Sequence, residues 1–394
     1  MPSFFSGGRQ VFLKQNSMTT EQKAFTALIR AGLWDAEADA SLFSAQTDWA
    51  ALYRRGQHQA LLGILLDGIQ TLPPDLRPER TFYLQWCAAV FRIEETNKKL
   101  NASIGELYAL LRAKGVNPVL IKGQGVARNY PHPLHRQCGD IDLFVGENPY
   151  ELVNLILCRE GKETSLPSAK HSHFEWRGVV VENHRRLALM KRPRADRQLQ
   201  RIIARWHGTD QTLRFVLEGC EVTVPPVEFD AVFLLQHMVN HLLTSGIGFR
   251  QVCDWMCLLH RYSGSLDKES VANDLKSLGL DKAARVFGAM AVNCLGLPET
   301  DLPLRFNAED AALGQILFDE IWDSGNFGKA DARKKPRPKG YWSGKWHSFA
   351  NVLARQRRLR KIAPAESAWV PVTMLFNFIK ARFSRRSPIL KNKQ

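Results

Sequence analysis

The sequence predicts an α+β fold, in which a small mixed sheet with its own helices is flanked by N- and C-terminal helical regions. Apolar residues recur three and four positions apart from Thr20 to about Gly115, which is the spacing of amphipathic helices. Between residues 117 and 184 the pattern changes to short apolar runs bounded by glycine, as in buried strands. Beyond Leu187 the helical spacing returns.

Residues 20–115 form the first region with clear periodicity, and we interpret them as an N-terminal helical region. Pro73, Pro74 and Pro78 interrupt its helices, and Gly115 stands where a C-cap would end the last one. Residues 1–19 lack such a pattern. We expect them to be disordered or untranslated, with Met18 as an alternative start.

Residues 116–190 are predicted to form the α/β core. The run NPVLIKG (117–123) is typical of a buried strand followed by a glycine turn, and VARNY (126–130) of a short helix. IDLFV (141–145) predicts a second strand and NPYELVNLILCREG (148–161) a second helix. HFEWRGVVVENH (173–184) predicts a hairpin that turns at Arg177 and Gly178.

Helical spacing in residues 191–328 predicts a C-terminal helical domain, and residues 329–394 form a basic tail. The whole chain has a net charge of +15, while this tail holds 18 Lys and Arg against only Asp331 and Glu366. Such a concentration of charge favours an anionic partner, either nucleic acid or an acidic membrane surface. A solvated tail without a partner is the alternative. The interleaved Trp342, Trp346 and Phe349 either contact such a partner or pack against the helical domain.

Composition narrows the class of protein. A hydrophobic fraction of 45% with 24% charged residues is typical of a globular chain. The seven cysteines are scattered among apolar residues, which is typical of reduced thiols rather than a disulfide scaffold. The sequence begins without a convincing secretory signal, and no run reaches the length of about 18 apolar residues that spans a bilayer. We therefore expect a cytoplasmic protein, or one bound to the periphery of a membrane.

The segment CGDIDLFV (138–145) places two aspartates one residue apart in an otherwise apolar run. In a strand, Asp140 and Asp142 point to one face, while Ile141 and Leu143 point to the other. Two carboxylates this close repel each other unless a cation lies between them, and Mg²⁺ prefers oxygen ligands of this kind. The alternative is that one aspartate caps a turn and the other is exposed on an edge strand.

Other polar residues flank the same predicted strands. Glu182 emerges from the apolar strand VVVEN and adds a third carboxylate, with His184 on the same strand face. Upstream, LIKGQG places Lys122 and Gly123 between a strand and a helix, where backbone N–H groups can receive phosphate. Arg136 lies in the loop before the aspartates, and its guanidinium can bind phosphate oxygens in pairs.

These segments resemble a known family. The runs LIKGQGVARNY, HRQCGDIDLFV and VVVENH, with GFRQVCDW (248–255) and GNFG (325–328) downstream, resemble an uncharacterised bacterial nucleotidyltransferase family. That family is part of the polymerase-beta-like nucleotidyltransferase superfamily. The resemblance covers about residues 20–330, and GDIDLFV with Lys122 and Arg136 is its most specific part.

The resemblance implies a polymerase-beta-like core that transfers NMP from an NTP to a hydroxyl acceptor. It implies that Asp140 and Asp142 hold Mg²⁺, or Mn²⁺ in its place, against the triphosphate, while Glu182 activates the acceptor hydroxyl. Such a reaction is an in-line displacement at the α-phosphorus, in which metal ions stabilise the attacking and leaving oxygens.

The resemblance also implies that Lys122, Gly123, Arg136 and His184 bind the nucleotide, with His184 alternatively orienting Glu182 or serving as a core histidine. The superfamily normally has a glycine pair followed by Ser or a second small residue at its first motif, whereas this chain has Lys122, Gly123 and Gln124. A second hypothesis is therefore a catalytically inactive nucleotidyltransferase-like module, recruited to an anionic partner by its basic tail.

Two pairs of residues on predicted helices are weaker candidates. His237 and His241 are four apart, but Met238 stands where the zinc-protease pattern requires Glu, so a structural role is favoured over zinc. Arg250 and Asp254 have the same spacing and predict an intrahelical ion pair, with a position in the substrate cleft as the alternative.

Overall fold

The structure is a computed structural model that describes residues 18–34, 36–163, 171–328, 331, 333, 340–374 and 376. Helices predominate in this part of the chain, and a five-stranded mixed sheet and a separate two-stranded sheet accompany them. The predicted α+β fold class is confirmed. Residues 1–17 and much of the predicted basic tail lie outside the described residues.

The N-terminal helices form where the apolar spacing predicts them. They are α1 (Thr20–Leu33), α2 (Trp49–Gln59), α3 (Leu62–Gln70) and the long α4 (Arg80–Arg112). A capping box begins α1, because the Thr19 hydroxyl accepts from the Gln22 N–H and the Gln22 side chain accepts from the Thr19 N–H. Gly115, with a φ of +75°, turns the chain out of α4 and into the sheet.

The five strands of the mixed sheet lie in the spatial order β1-β2-β5-β4-β3. Their bounds are β1 (Val119–Ile121), β2 (Asp140–Phe144), β3 (Lys162–Glu163), β4 (His171–Trp176) and β5 (Val179–His184). Strands β2 and β5 pair in parallel and the other neighbours antiparallel. Helix α5 (Gly123–Ala127) follows β1, and α6 (Glu147–Glu160) follows β2. The predicted hairpin is present, and Arg177 and Gly178 both have positive φ at its turn.

A second hairpin lies where the sequence analysis predicted only helices. It consists of β6 (Leu213–Leu217) and β7 (Cys220–Val224), joined through Glu218 and Gly219, whose φ values are +46° and +83°. Two adjacent residues with positive φ are the geometry of a tight hairpin turn. Val222 and Val224 are buried in the same core as the mixed sheet. The α/β unit therefore includes residues beyond 190.

The remaining helices belong to the C-terminal half of the chain. They are α7 (Pro193–Trp206), α8 (Val227–Thr244), α9 (Phe249–Arg261), α10 (Lys268–Leu278), α11 (Asp281–Leu295), α12 (Ala308–Ser324), α13 (Tyr341–Leu359) and α14 (Pro364–Ser367). No helix among the described residues is long and apolar enough to cross a bilayer.

The basic tail is in part a packed element rather than a free extension. Helix α13 lies against α8, and Arg355 is buried there, 3.4 Å from Glu320 and 3.1 Å from Asp331. Arg333 pairs with the same two carboxylates at 2.9 and 2.7 Å. Arg358 also lies 3.4 Å from Glu320, so three of the tail's arginines are paired with carboxylates within the fold.

The apolar face of the mixed sheet forms one core with α4, α6 and the second hairpin. Ile141, Leu143 and Val181 are each at most 1% exposed there. The helical regions share a separate and larger core. Because side chains alternate along a strand, burying one face of β2 and β5 turns their polar residues to the other face.

The loop that precedes β2 is anchored by helices from the N-terminal region. Asn97, fully buried in α4, donates a hydrogen bond to the backbone carbonyl of Arg136 at 2.9 Å. The His135 ring lies between two carboxylates, with Nδ1 at 2.7 Å from Asp67 and Nε2 at 2.8 Å from Glu94. These contacts fix the loop before the chain enters the site.

The His135 triad predicts a dependence of stability on pH. Burial lowers the pKa of His135, but the hydrogen bonds and charges of Asp67 and Glu94 outweigh burial and raise it above its ordinary value of 6.5. A raised folded-state pKa stabilises the fold fully below the unfolded value, and this stabilisation is lost as the pH rises through the folded value. Urea titrations of the wild type and His135→Gln should therefore give a difference in unfolding free energy that shrinks as the pH rises from about 6.5 into the alkaline range. A constant difference over that range would contradict the triad.

Candidate active site

The structure brings the predicted acidic residues together on one face of the sheet. Asp142 on β2 lies directly opposite Glu182 on β5, and Asp140 and His184 occupy the same face by alternation along their strands. Ile121, the last residue of β1, lies opposite Asp142 on the other side. Three strands therefore converge at Asp142.

Asp142 is the most enclosed of these carboxylates, with 3% of its surface exposed. Its Oδ1 atom lies 2.7 Å from Lys122 Nζ and 2.7 Å from His184 Nε2. Burial raises the pKa of Asp142, but Lys122 and His184 outweigh burial and hold it well below its ordinary value of 3.8. Asp142 is thus ionised, and the Lys122 ammonium supplies the compensating charge.

The backbone at Lys122 adopts a conformation that aims the side chain at this carboxylate. Its φ of +55° and ψ of −149° are rare for a residue other than glycine. Gly123 follows with a φ of +44°, and a Cβ atom there would lie 3.3 Å from Cys138 Sγ. Burial lowers the pKa of Lys122, but Asp142 outweighs burial and raises it above 10.5, so the ammonium is charged.

Asp140 differs from Asp142 in its surroundings. Among the described residues, no side chain forms a hydrogen bond or an ion pair with its carboxylate. Burial and then the neighbouring Asp142 charge raise the pKa of Asp140 above 3.8, while Lys122 opposes them. The Asp140 carboxylate is therefore not neutralised by a hydrogen bond or an ion pair within the described residues.

Glu182 is surrounded by three imidazole rings. Its Oε2 atom lies 3.3 Å from His184 Nε2 and 3.7 Å from His171 Nδ1, and its Oε1 atom lies 3.3 Å from His173 Nδ1. Burial raises the pKa of Glu182, but the hydrogen bond of His184 contributes most to an overall lowering below 4.5. The sequence analysis missed His171 and His173. Their alternation in HSH, which pairs antiparallel with ENH in the predicted hairpin, was a signal that could have found them.

Arg136 is buried beneath the site and held by a residue distant in sequence. Its guanidinium donates from Nε and Nη2 to the two oxygens of Asp254 at 2.8 and 2.7 Å, and the Tyr130 hydroxyl donates to the same carboxylate at 2.7 Å. The predicted intrahelical pair of Arg250 with Asp254 is therefore wrong. Arg250 donates instead to the Gln137 carbonyl at 2.7 Å. Arg136 is buried whereas Arg250 is only partly buried, so Asp254 compensates the guanidinium that would be more costly to leave unpaired.

The sheet and the helical domain enclose a cavity of about 70 Å³ between them. Five of the residues predicted from the sequence line it from the α/β side: Lys122, Gly123, Arg136, Asp140 and Asp142. Helices α8 and α9 and the segment after α12 provide the opposite wall, which is formed by Leu234, His237, Met238, Arg250, Gln251, Asp254 and Phe327. Glu182 and His184 do not line this cavity. Both lie beside Asp142, which does.

Gln124, which replaces the expected Ser, does not line the cavity. Its side chain is buried and donates to Asn97 Oδ1 at 3.1 Å, so it connects α5 to α4. The third position of this motif is structural in this chain. His237 and His241, the weaker zinc candidates, pack ring to ring at 4.5 Å on α8, and only His237 of this pair reaches the cavity.

Comparison with known proteins bears on this arrangement. A family model described as "Uncharacterised nucleotidyltransferase" matches residues 45–296, which is more than half of the chain. The chain belongs to this nucleotidyltransferase family. The matched range contains every residue named above as lining the cavity, except Phe327.

Two further comparisons do not refine the family assignment. No curated protein matches the chain. The crystal structure of an antigenic nucleotidyltransferase-like protein from Paracoccidioides brasiliensis is similar to it with a TM-score of 0.31 and 10% sequence identity. That similarity covers 55% of this chain and 96% of the other. At this TM-score it does not assign a fold.

The pairing of Arg136 with Asp254 yields a stability prediction. Asp254→Ala leaves a guanidinium buried without a counter-charge, which typically costs about 3–5 kcal/mol. We expect a loss of this size in the unfolding free energy from urea titration. Glu221→Ala, which removes a half-exposed partner of Arg214, is the matched control and should cost less than about 1 kcal/mol.

A double variant tests whether the loss comes from the unpaired charge of Arg136. The double substitution Arg136→Met with Asp254→Leu removes both charges and should recover much of the loss caused by Asp254→Ala. Equal unfolding free energies for Asp254→Ala and Glu221→Ala would show that the buried pair contributes no more than a surface pair.

Proposed function

We propose that this member of the family is an Mg²⁺-dependent nucleotidyltransferase that moves NMP from an NTP to a hydroxyl acceptor, on a polymerase-beta-like core. One observation carries the proposal. Asp140 and Asp142 share a cavity with the cationic side chains of Lys122, Arg136 and Arg250. Acidic groups for a metal and basic groups for phosphate are what transfer at an α-phosphorus requires.

The two aspartates suit a hard divalent cation. They project from the same strand face, and the Asp140 oxygens are not engaged by another side chain of the described residues. Mg²⁺, or Mn²⁺ with the same ligands, would neutralise the charge that develops on the phosphate oxygens. Because the pKa of Asp140 is raised, a bound cation would also keep its carboxyl ionised.

Lys122 is proposed to exchange partners during the reaction. In the structure its ammonium neutralises Asp142, and it also lines the cavity where phosphate would bind. With Asp142 bound to a divalent cation, the Lys122 ammonium would be available to a phosphate oxygen. Lys122 would thus serve both as the counter-ion of Asp142 and as a ligand of the phosphate.

Arg136 and Arg250 provide further donors for the triphosphate. Asp254 accepts hydrogen bonds from Nε and Nη2 of Arg136. The buried Nη1 atom of Arg136 has no hydrogen-bond partner in the described part of the chain. The same holds for Nε of Arg250. A buried donor without a partner costs free energy, and an anion in the cavity would supply the missing acceptor.

Glu182 and His184 act from beside the cavity. Glu182 is ionised because its pKa is lowered, so its carboxylate is able to accept the proton of an acceptor hydroxyl, although as a weak base. His184 is fully buried and bonds Asp142, which favours orienting that aspartate over direct contact with the nucleotide.

The test of the proposed transfer is Asp140→Asn. This substitution removes a metal ligand without breaking an ion pair, whereas Asp142→Asn would also strand Lys122 and His184. We expect transfer of label from α-phosphorus-labelled ATP, GTP, CTP or UTP to acceptors in a cell extract to fall at least about a hundredfold. Glu175→Gln, at an exposed position on β4, is the matched control and should retain full transfer.

The outcome also separates the proposed enzyme from an inactive module. Equal labelling by the wild type and Asp140→Asn would exclude the proposed mechanism. Two observations support the inactive binding module. Gln124 is buried and bonds Asn97, and Lys122 is already paired with Asp142. Calorimetric titration of the wild type with each of the four NTPs and Mg²⁺ distinguishes the two. If none of the four binds, the binding module is favoured.

We also propose that the C-terminal segment contacts an anionic partner, either nucleic acid or an acidic membrane surface. Arg357, Arg360 and Lys361 are exposed at the end of α13. Large apolar side chains are exposed nearby in sequence, with Trp346 at 72% and Phe376 at 66%. Exposed cationic and aromatic residues together are typical of surfaces that bind polyanions or lipid headgroups.

The packing of α13 determines which variants can test the contact with an anionic partner. Deleting residues 329–394 would remove the buried Arg355 and uncover α8, so charge reversal is preferable. Arg357→Glu with Arg360→Glu should weaken binding to single-stranded nucleic acid or to anionic vesicles, and reduce its salt dependence. Arg159→Glu with Arg197→Glu, at exposed positions on α6 and α7, matches the change in charge and should bind as the wild type does. Equal weakening by both pairs would mean that only net charge matters.

A further inference from the structure

Glu182 and its neighbouring histidines form a cluster that the proposed transfer does not fully use. One potential ligand atom each from His171, Glu182 and His184 lies within 4.8 Å of the other two. The three residues come from adjacent strands, because His171 on β4 is the register partner of His184 on β5. The ring centroids of these two histidines are 4.9 Å apart.

The spacing of the ligand atoms is that of a metal site. Zn²⁺ binds nitrogen and oxygen at about 2.0–2.2 Å, so neighbouring ligands in a tetrahedral site lie about 3.3–3.6 Å apart. Glu182 Oε2 lies 3.3 Å from His184 Nε2 and 3.7 Å from His171 Nδ1. Small side-chain rotations would therefore bring these atoms to coordination distances around one ion.

The ligand chemistry differs from that of the aspartates. Two imidazoles and one carboxylate are a common set for divalent first-row transition ions, whereas Mg²⁺ prefers oxygen ligands only. His173 lies 3.3 Å from the second oxygen of Glu182 and is a candidate fourth ligand. A single face of the sheet would thus present an oxygen site at Asp140 and a nitrogen-rich site at Glu182.

The surroundings of the cluster bear on metal binding. The Nε2 atom of the fully buried His184 also bonds Asp142 at 2.7 Å, so an ion bound through this nitrogen would replace that hydrogen bond. The side chains of His171 and His173 are 21% and 29% exposed, which leaves an entry path from solvent. The protein therefore provides both ligands and access.

We propose that His171, Glu182 and His184 bind one divalent transition-metal ion, for which Zn²⁺ is the probe, at a site next to the two aspartates proposed for Mg²⁺. This inference does not depend on nucleotidyl transfer, since it concerns binding alone. The opposing explanation is that the histidines only donate hydrogen bonds to Glu182.

The experiment is a calorimetric titration of the full-length protein, prepared without a histidine tag, with Zn²⁺ in the presence of millimolar Mg²⁺. We expect one tight equivalent, and Co²⁺ as a second probe should give the visible absorption of a four-coordinate nitrogen and oxygen site. His171→Ala should lower the affinity at least about tenfold, and so should Glu182→Gln. His58→Ala, which removes an exposed histidine on α2, is the control and should leave the affinity unchanged.

The half-buried His171 makes the test informative even if a substitution at the buried His184 fails to fold. Wild-type affinity for Zn²⁺ in a folded His171→Ala variant would overturn the proposal, as would the absence of tight binding by the wild type. Asp140→Asn separates the two hypotheses, because it should abolish transfer and keep the Zn²⁺ equivalent. Zn²⁺ binding by a protein without transfer activity would support this site while contradicting the proposed function.

Discussion

The site is organised by the need to neutralise one carboxylate at the centre of the sheet. Asp142 is almost without contact with water, and an ionised carboxylate in such a place is costly unless it is paired. Lys122 and His184 approach the same oxygen of Asp142 from opposite neighbouring strands. The positions of β1, β2 and β5 are therefore linked through a single atom. The removal of any partner would leave an uncompensated polar group in the interior.

The backbone of Lys122 shows what this arrangement costs. A residue other than glycine in so unusual a region of φ and ψ carries about 1–3 kcal/mol of strain. The ion pair with Asp142 offsets that strain in the structure described. Strain of this kind is concentrated at functional sites, because it is retained only where the surroundings enforce it. The exchange of partners proposed for Lys122 would require only that this one ion pair be broken.

Local features of the sequence predicted much of the site, and tertiary contacts supplied the rest. The period of two along a strand was enough to place Asp140 and Asp142 on one face. The parallel pairing that sets Glu182 opposite Asp142 joins residues 40 positions apart, and no local pattern specifies its register. Arg250 and Asp254 show where local spacing fails to predict a contact. Their spacing predicts a helical pair worth a few tenths of a kcal/mol, whereas the buried Arg136, 118 residues away, needs that carboxylate far more.

The contact between Arg136 and Asp254 also shows why the helical domain is part of the site. Arg136 precedes the strand that bears the aspartates, and Asp254 lies on α9, which forms the opposite wall of the cavity. The bidentate pair sets the distance between these two walls. Asn97 of α4 fixes the same loop from the other side, through the Arg136 carbonyl. The width of the cavity is therefore determined jointly by three regions of the chain. Because α8 and α9 face the aspartates across the cavity, their side chains would contact an acceptor in the proposed reaction.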